Sequence, residues 1–204
     1  MFKSNILERF CVEVNKVYGV GVCDSKTTFN GIPLKSYKLW CSMLERCYCG
    51  KFLQTRQTYS GCYVSDNFKS YQYFKDWCHE QIGYGNKGWQ LDKDFLSETS
   101  KAYSEYSCCF IPQELNSFIT KSNKIRGEYI IGVTWCKRKK LFTSSIKVSG
   151  IKKNLGYYDN EWSAFLAYKQ AKENRAKELA EKWRGQIDNR VYEKLINYKV
   201  LLTD

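Results

Sequence analysis

Three short β-forming runs followed by one long amphipathic stretch constrain this chain more than any other feature. Runs 131–135, 141–148 and 153–158 are rich in β-branched and aromatic residues, and the polar segments 136–140 and 149–152 read as their turns. Asp159 or Asn160 then caps a helix over about 161–183. Its Phe165, Tyr168, Ala171, Ala176, Leu179 and Trp183 follow helical spacing on one face, while Lys172, Glu173, Lys177 and Glu181 lie on the other. Such a helix covers one face of a three-stranded sheet and leaves the second free. Alternation sends Phe142, Ser144 and Ile146 towards the helix and Thr143, Ser145 and Lys147 outward. The outward set is small, polar and cationic, and a narrow antiparallel sheet fits a DNA major groove.

Charge supports the same region. The chain carries 33 Lys and Arg against 21 Asp and Glu, and residues 121–153 hold ten of the cations with Glu128 as their one acid. A local excess of that size, interleaved with aromatic and β-forming residues, implies a polyanionic partner, of which nucleic acid is the commonest. Trp135, Arg138, Lys139, Lys140, Lys147, Lys152 and Lys153 are the candidate DNA-binding residues, with the cations at the strand ends where phosphates would lie.

Earlier in the chain, 17–23 (VYGVGVC) is β-like, and residues 1–34 carry no readable motif. Ser36 is placed to cap a helix to about Tyr48, with Tyr37, Trp40, Leu44 and Cys47 on one face. A polar loop (49–61) and an extended piece (62–64) precede a second amphipathic helix over about 67–82, with Phe68, Tyr71, Phe74 and Cys78 inward. Strand 89–95, a polar turn at 97–101, strand 106–111 and a helix opened by Pro112 and running to about Thr120 come next. A polar, basic linker, 121–128, divides two expected domains, 1–120 and 121–204, and a last helix covers about 187–198. The expected fold class is α+β.

Several function classes drop out. No uncharged apolar run reaches the ~18 residues that span a bilayer, and the first ten residues, MFKSNILERF, carry charges where a signal peptide is apolar. A cytoplasmic chain without a membrane partner is expected. With His79 the single histidine, a Ser-His-Asp or Cys-His machine has little to build on. The turn Gly83-Tyr84-Gly85-Asn86-Lys87-Gly88 lacks the Ser or Thr and the strand-to-helix setting of a phosphate loop. Most of the ten cysteines read as small buried hydrophobes. Structural zinc through Cys41, Cys47, Cys49 and Cys62 is the weaker alternative, because Cys47-x-Cys49 is tight for a zinc knuckle and no Cys-x-x-Cys pair occurs.

Gly132-Val133-x-Trp135, Phe142-x-x-x-Ile146, Leu155-Gly156-Tyr157-Tyr158 and Glu161-x-x-Ala164-Phe165-x-Ala167-Tyr168-x-x-Ala171 resemble the AP2 DNA-binding domain over about 127–175. That resemblance implies a sheet that reads double-stranded DNA through Trp135, Arg138, Lys140 and Lys147. Leu91-Asp92-Lys93-Asp94 with Tyr103, Cys108, Phe110, Pro112 and Asn116 resembles the ββα-metal finger of HNH nucleases. Together with Trp40-x-x-Met43-Leu44-x-Arg46-Cys47-Tyr48 and Thr58-Tyr59-x-x-Cys62-x-Val64, the chain looks like the HNH/AP2-type homing-endonuclease relatives carried by bacteriophages.

The finger resemblance implies Asp92, Lys93, Asp94 and Asn116 as catalytic candidates, with Asp92 and Asn116 holding Mg²⁺ or Mn²⁺. In the family a histidine acts as base where Lys93 stands, and a protonated lysine is a poor base. Three readings follow. The chain is a divalent-metal DNA endonuclease or nickase. It is a catalytically silent relative that binds DNA as a regulator or inhibits a host defence protein. Or it binds a host protein through its basic face.

Overall fold

A computed structural model describes residues 16–97, 99–120, 128–148 and 150–202. The first ten residues, Cys11, nearly all of the expected 121–128 linker and Ser149 of the last turn lie outside them. The fold is α+β. In chain order the elements are β1 (Thr28–Phe29), β2 (Ile32–Pro33), α1 (Lys35–Tyr48), α2 (Gly50–Thr55), β3 (Tyr63–Val64), α3 (Tyr71–Glu80), β4 (Trp89–Asp92), β5 (Ala102–Tyr103), β6 (Cys109–Pro112), α4 (Gln113–Ile119), β7 (Val133–Cys136), β8 (Leu141–Val148), β9 (Ile151–Tyr158), α5 (Glu161–Lys182) and α6 (Asn189–Ile196).

By packing the chain forms two compact units. One runs to His79 and adds Lys101–Ser104; the other holds Glu80–Ser100 and everything from Glu105 onward. The expected cut at 120/121 divides the chain by motif content, and the packing division is a different cut.

In the first unit, α1 and α3 build an aromatic core. Trp40, Met43, Leu44 and Cys47 recur at helical spacing and are buried, as are Tyr71, Phe74, Trp77 and Cys78. The Trp40 indole N–H donates to the Phe68 carbonyl at 2.7 Å, so the ring is satisfied as well as buried. Ser36 is not the cap of α1. Leu34 holds that position, and the Ser36 hydroxyl is buried against the Tyr71 hydroxyl at 3.0 Å. The expected loop 49–61 contains α2, where Phe52 packs edge-on against Tyr59. β5 leaves the second unit's chain path to run parallel to β3. The β1–β2 hairpin turns on Asn30 and Gly31, both at positive φ, the arrangement that an Asn-Gly hairpin turn requires.

In the second unit, α5 is the shared spine, about 33 Å long at the usual helical rise. Asn160 caps it, its side-chain oxygen accepting from the Ser163 N–H at 2.8 Å. Its first half packs Ala164 and Phe165 with Val133 and Val200, and Phe142, Tyr158 and Tyr168 close over them. Its second half packs Ala176, Leu179 and Ala180 with Cys109, Ile111, Leu115 and the α6 residues Val191 and Leu195. One helix therefore backs both the three-stranded sheet β7-β8-β9 and the β4–β6 ribbon with α4. Between these halves Glu114 of α4 pairs with Arg175 at 2.9 Å and Lys172 donates to the Phe118 carbonyl at 2.6 Å.

Candidate nucleic-acid interface

Strand register fixes which side chains share each face of the sheet. Val133 pairs with Ser144 and Ser144 with Gly156, while Trp135 pairs with Phe142 and Phe142 with Tyr158. Val133, Ser144 and Ile146 are buried, so this face meets α5. On the other face Thr134, Thr143 and Tyr157 form one row, Ser145 and Asn154 the next, and Lys147 and Lys152 the last. Thr134, Thr143, Ser145 and Asn154 give that face short polar side chains, which let a backbone approach closely, with Tyr157 on its β9 edge.

The sequence-predicted cations lie at the two ends of this sheet. Arg138, Lys139 and Lys140 occupy the β7–β8 turn; Lys147, Lys152 and Lys153 lie at the far end of β8 and the start of β9, and all six are exposed. The eight residues of β8 separate the groups by roughly 23 Å at the usual strand rise. The Lys139 ammonium sits 3.7 Å from the centre of the Tyr157 ring, a cation–π contact that draws it onto the free face. Two predicted residues stand elsewhere. Trp135 packs edge-on against Phe142 at 4.8 Å on the helix side, 39 % exposed at the sheet's end. Lys153 pairs with Ile146 and so falls on the helix side of the edge strand.

Residues 133–158 contain seven cations and no acid. Among the described residues none of the six exposed cations joins an ion pair. The cations of α5 behave differently: Lys169 pairs with Glu173 at 2.7 Å, and Arg175 bridges Glu114 and Glu178, each at 2.9 Å. Carboxylates of α4 and α5 hold these helix cations, and among the described residues none does so for the six of the sheet.

The second candidate lies on the ribbon. β4 pairs antiparallel with β6, Asp92 opposite Cys109 and Gln90 opposite Ile111. Gln90 and Asp92 thus share the side on which Cys109 and Ile111 enter the core with Leu115 of α4. The Asn116 amide N–H donates to the Gln90 side-chain oxygen at 2.6 Å. Tyr103 lies on β5 in the other unit. Asp92 makes a turn: one carboxylate oxygen accepts from the Asp94 N–H at 2.9 Å and the Phe95 N–H at 2.6 Å. Lys93 is only 6 % exposed and its ammonium pairs with the Asp94 carboxylate. Arg190 of α6, which no motif singles out, donates to the Glu105, Tyr106 and Cys108 carbonyls and pairs with Asp188 at 2.7 Å. It pins the loop that enters β6.

A divalent cation, which the finger resemblance implies, does not fit this donor set. Asp92 and Asp94 flank a buried ammonium that already supplies positive charge, and one Asp92 oxygen holds two backbone N–H groups. Among the described residues no group of three or more His, Cys, Asp and Glu is placed to hold a metal. That includes Cys41, Cys47, Cys49 and Cys62, of which Cys47 and Cys62 are buried. Burial also pushes the Cys41 thiol up, away from the thiolate that zinc takes.

Burial raises the Asp92 carboxyl above its ordinary range, with the Asp94 charge adding to it and the two backbone N–H groups opposing. A raised folded-state value means this group's contribution is full below the ordinary carboxylate range and is lost as pH rises. Asp92→Asn keeps an oxygen for both N–H groups and removes the buried charge. It is expected to raise the melting temperature at pH 7, with a gain that shrinks towards pH 4. Asp92→Ala loses both bonds and costs about 1–2 kcal/mol. Melting curves at both pH values check this, and equal curves for Asp92→Asn and wild type at pH 7 would mean that the buried charge costs the fold nothing.

No family model matches the chain, no curated protein matches it, and no solved structure matches it. Among the described residues no helix is long and apolar enough to cross a membrane.

Proposed function

We propose that this chain binds double-stranded DNA through the free face of the β7–β9 sheet and does not cut it. One observation carries the reading: a small polar face framed at both ends by exposed cations that no acid neutralises within 133–158. Cations that no ion pair holds among the described residues are available to displace the counterions condensed on a phosphate polymer. The AP2-like motif residues support the same docking, with the sheet in the major groove and the turns against the flanking backbones. The finger then serves as a fold element on α5. Its Lys93–Asp94 pair replaces the chemistry a nuclease needs, a water-activating base beside a bound cation.

The test is one titration of supercoiled plasmid and a labelled duplex. The expected result is binding that weakens steeply with salt and no nicking or linearisation in Mg²⁺ or Mn²⁺. Cutting that stops with Asp92→Ala would establish the endonuclease reading instead. No duplex binding even in dilute buffer, with a host factor retained at salt that strips DNA, would establish the protein-directed reading.

A further inference from the structure

We propose that Asn154 is the base-reading residue of this sheet and that it reads an adenine. The inference rests on the DNA-binding reading above and adds a sequence preference to it.

The placement comes from an irregularity in the ladder. Ser144 pairs with Gly156 and Ser145 with Asn154, which leaves Leu155 as an extra residue in β9. A bulge of this kind re-aims the neighbouring side chain and sharpens the local twist. Gly156 permits it: its φ is +136°, and a Cβ there would meet the Tyr158 hydroxyl at 2.9 Å. Asn154 shares the side of Ser145, Thr143 and Lys147, is exposed, and stands between the two cation groups. Phosphate contacts at the turns would therefore bring a groove floor to it.

The amide is also oriented. Its oxygen accepts from the Gly156 N–H at 2.7 Å. Because that partner is only a donor, the side-chain oxygen and nitrogen cannot be exchanged. The nitrogen faces the Thr143 hydroxyl at 3.4 Å, and that hydroxyl donates to the Gly156 carbonyl at 2.9 Å. A carboxamide has two N–H donors and two acceptor positions. One of each is engaged here, so one donor and one acceptor remain. Adenine presents the complement in the major groove, N7 to accept and the N6 amino group to donate, whereas guanine presents two acceptors. The free pair on Asn154 satisfies adenine and leaves a group unpaired on guanine.

The experiment uses the full chain. Binding is selected from a randomised duplex pool, and then measured on the preferred duplex and on the same duplex with 7-deazaadenine at the preferred position, which lacks the N7 acceptor. The variants are Asn154→Ala and Asn154→Asp; the latter keeps an oxygen for the Gly156 N–H but has no donor. Wild type is expected to lose about tenfold on the deaza duplex. Neither variant should distinguish the two duplexes, and Asn154→Ala should keep the wild-type salt slope. The deaza comparison on wild type needs no variant to fold. A selected site without adenine dependence, or one unchanged in both variants, overturns the proposal and leaves DNA binding standing. Failure of wild type to bind any duplex overturns the DNA-binding reading itself.

Discussion

Gly132→Ala is expected to lose about 3 kcal/mol or more of stability and to take the sheet's register with it. Gly132 lies at φ +79°, where a side chain is strained, and a Cβ added there would sit 2.1 Å from the Tyr168 ring. Tyr168 belongs to α5 and closes over the core formed by Val133, Ala164 and Phe165, so the ring cannot withdraw without opening that core. The Gly132 carbonyl also accepts from the Ser145 N–H at 3.2 Å, on the strand that carries the free face. Gly150→Ala is the control. Its φ is +84°, yet nothing lies within 4 Å of the added Cβ. The two variants share the strain of a left-handed backbone, about 1–2 kcal/mol, and differ only in the collision. Denaturant midpoints should separate them by at least about 1 kcal/mol. Adding Tyr168→Ala to Gly132→Ala should recover part of the loss, a coupling that independent sites would not show. Equal midpoints for the two glycine variants would mean that α5 does not press on the sheet at this point.

This close approach explains why part of the fold could be read in the sequence. Gly132 and Gly156 stand in motifs because one admits Tyr168 and the other permits the bulge beside Tyr158. The alternation over β8 correctly separated Ser144 and Ile146 from Thr143 and Lys147, since a face buried on a helix enforces a strict period of two. The same rule fails at Leu155, because one inserted residue shifts the period, and so Asn154 and Tyr157 could not be assigned to a face. The face that Trp135 takes could not be read for a related reason. Its aromatic ring suits a DNA edge as well as an apolar end, and only its pairing with Phe142 decides. The β1–β2 hairpin did have a local signal, Asn30-Gly31. Strands of two residues give it no flanking alternation. Arg190 had none at all, because its carbonyl partners lie 82 to 85 residues away. On the ribbon, Asp92 was legible as a carboxylate beside a lysine. That its oxygen would hold a turn depends on backbone N–H groups that no residue pattern displays.

Neutralising Arg138, Lys140 and Lys147 together is expected to weaken duplex binding by about 10²–10³ near 0.1 M salt and to flatten the log–log salt slope by about 2–3. The magnitude follows from the number of counterions displaced, roughly 0.9 per phosphate contact. Substitution has to respect the backbone: Lys140 lies at φ +53°, so Lys140→Asn is used there, asparagine tolerating that region best, with Arg138→Gln and Lys147→Gln. None of the three joins an ion pair among the described residues, so their removal leaves no acid uncompensated. Melting temperature should then hold while binding falls. Lys177→Gln separates a located patch from bulk charge, since Lys177 is equally exposed but lies on α5, the element behind the sheet. It removes a cation of the same sign and should leave the slope unchanged within about 0.3. A patch that works by position loses slope only in the triple variant. If Lys177→Gln flattened the slope as much per charge, the chain would be attracting DNA through its net charge, and the free face of β7–β9 would have no special claim to the duplex.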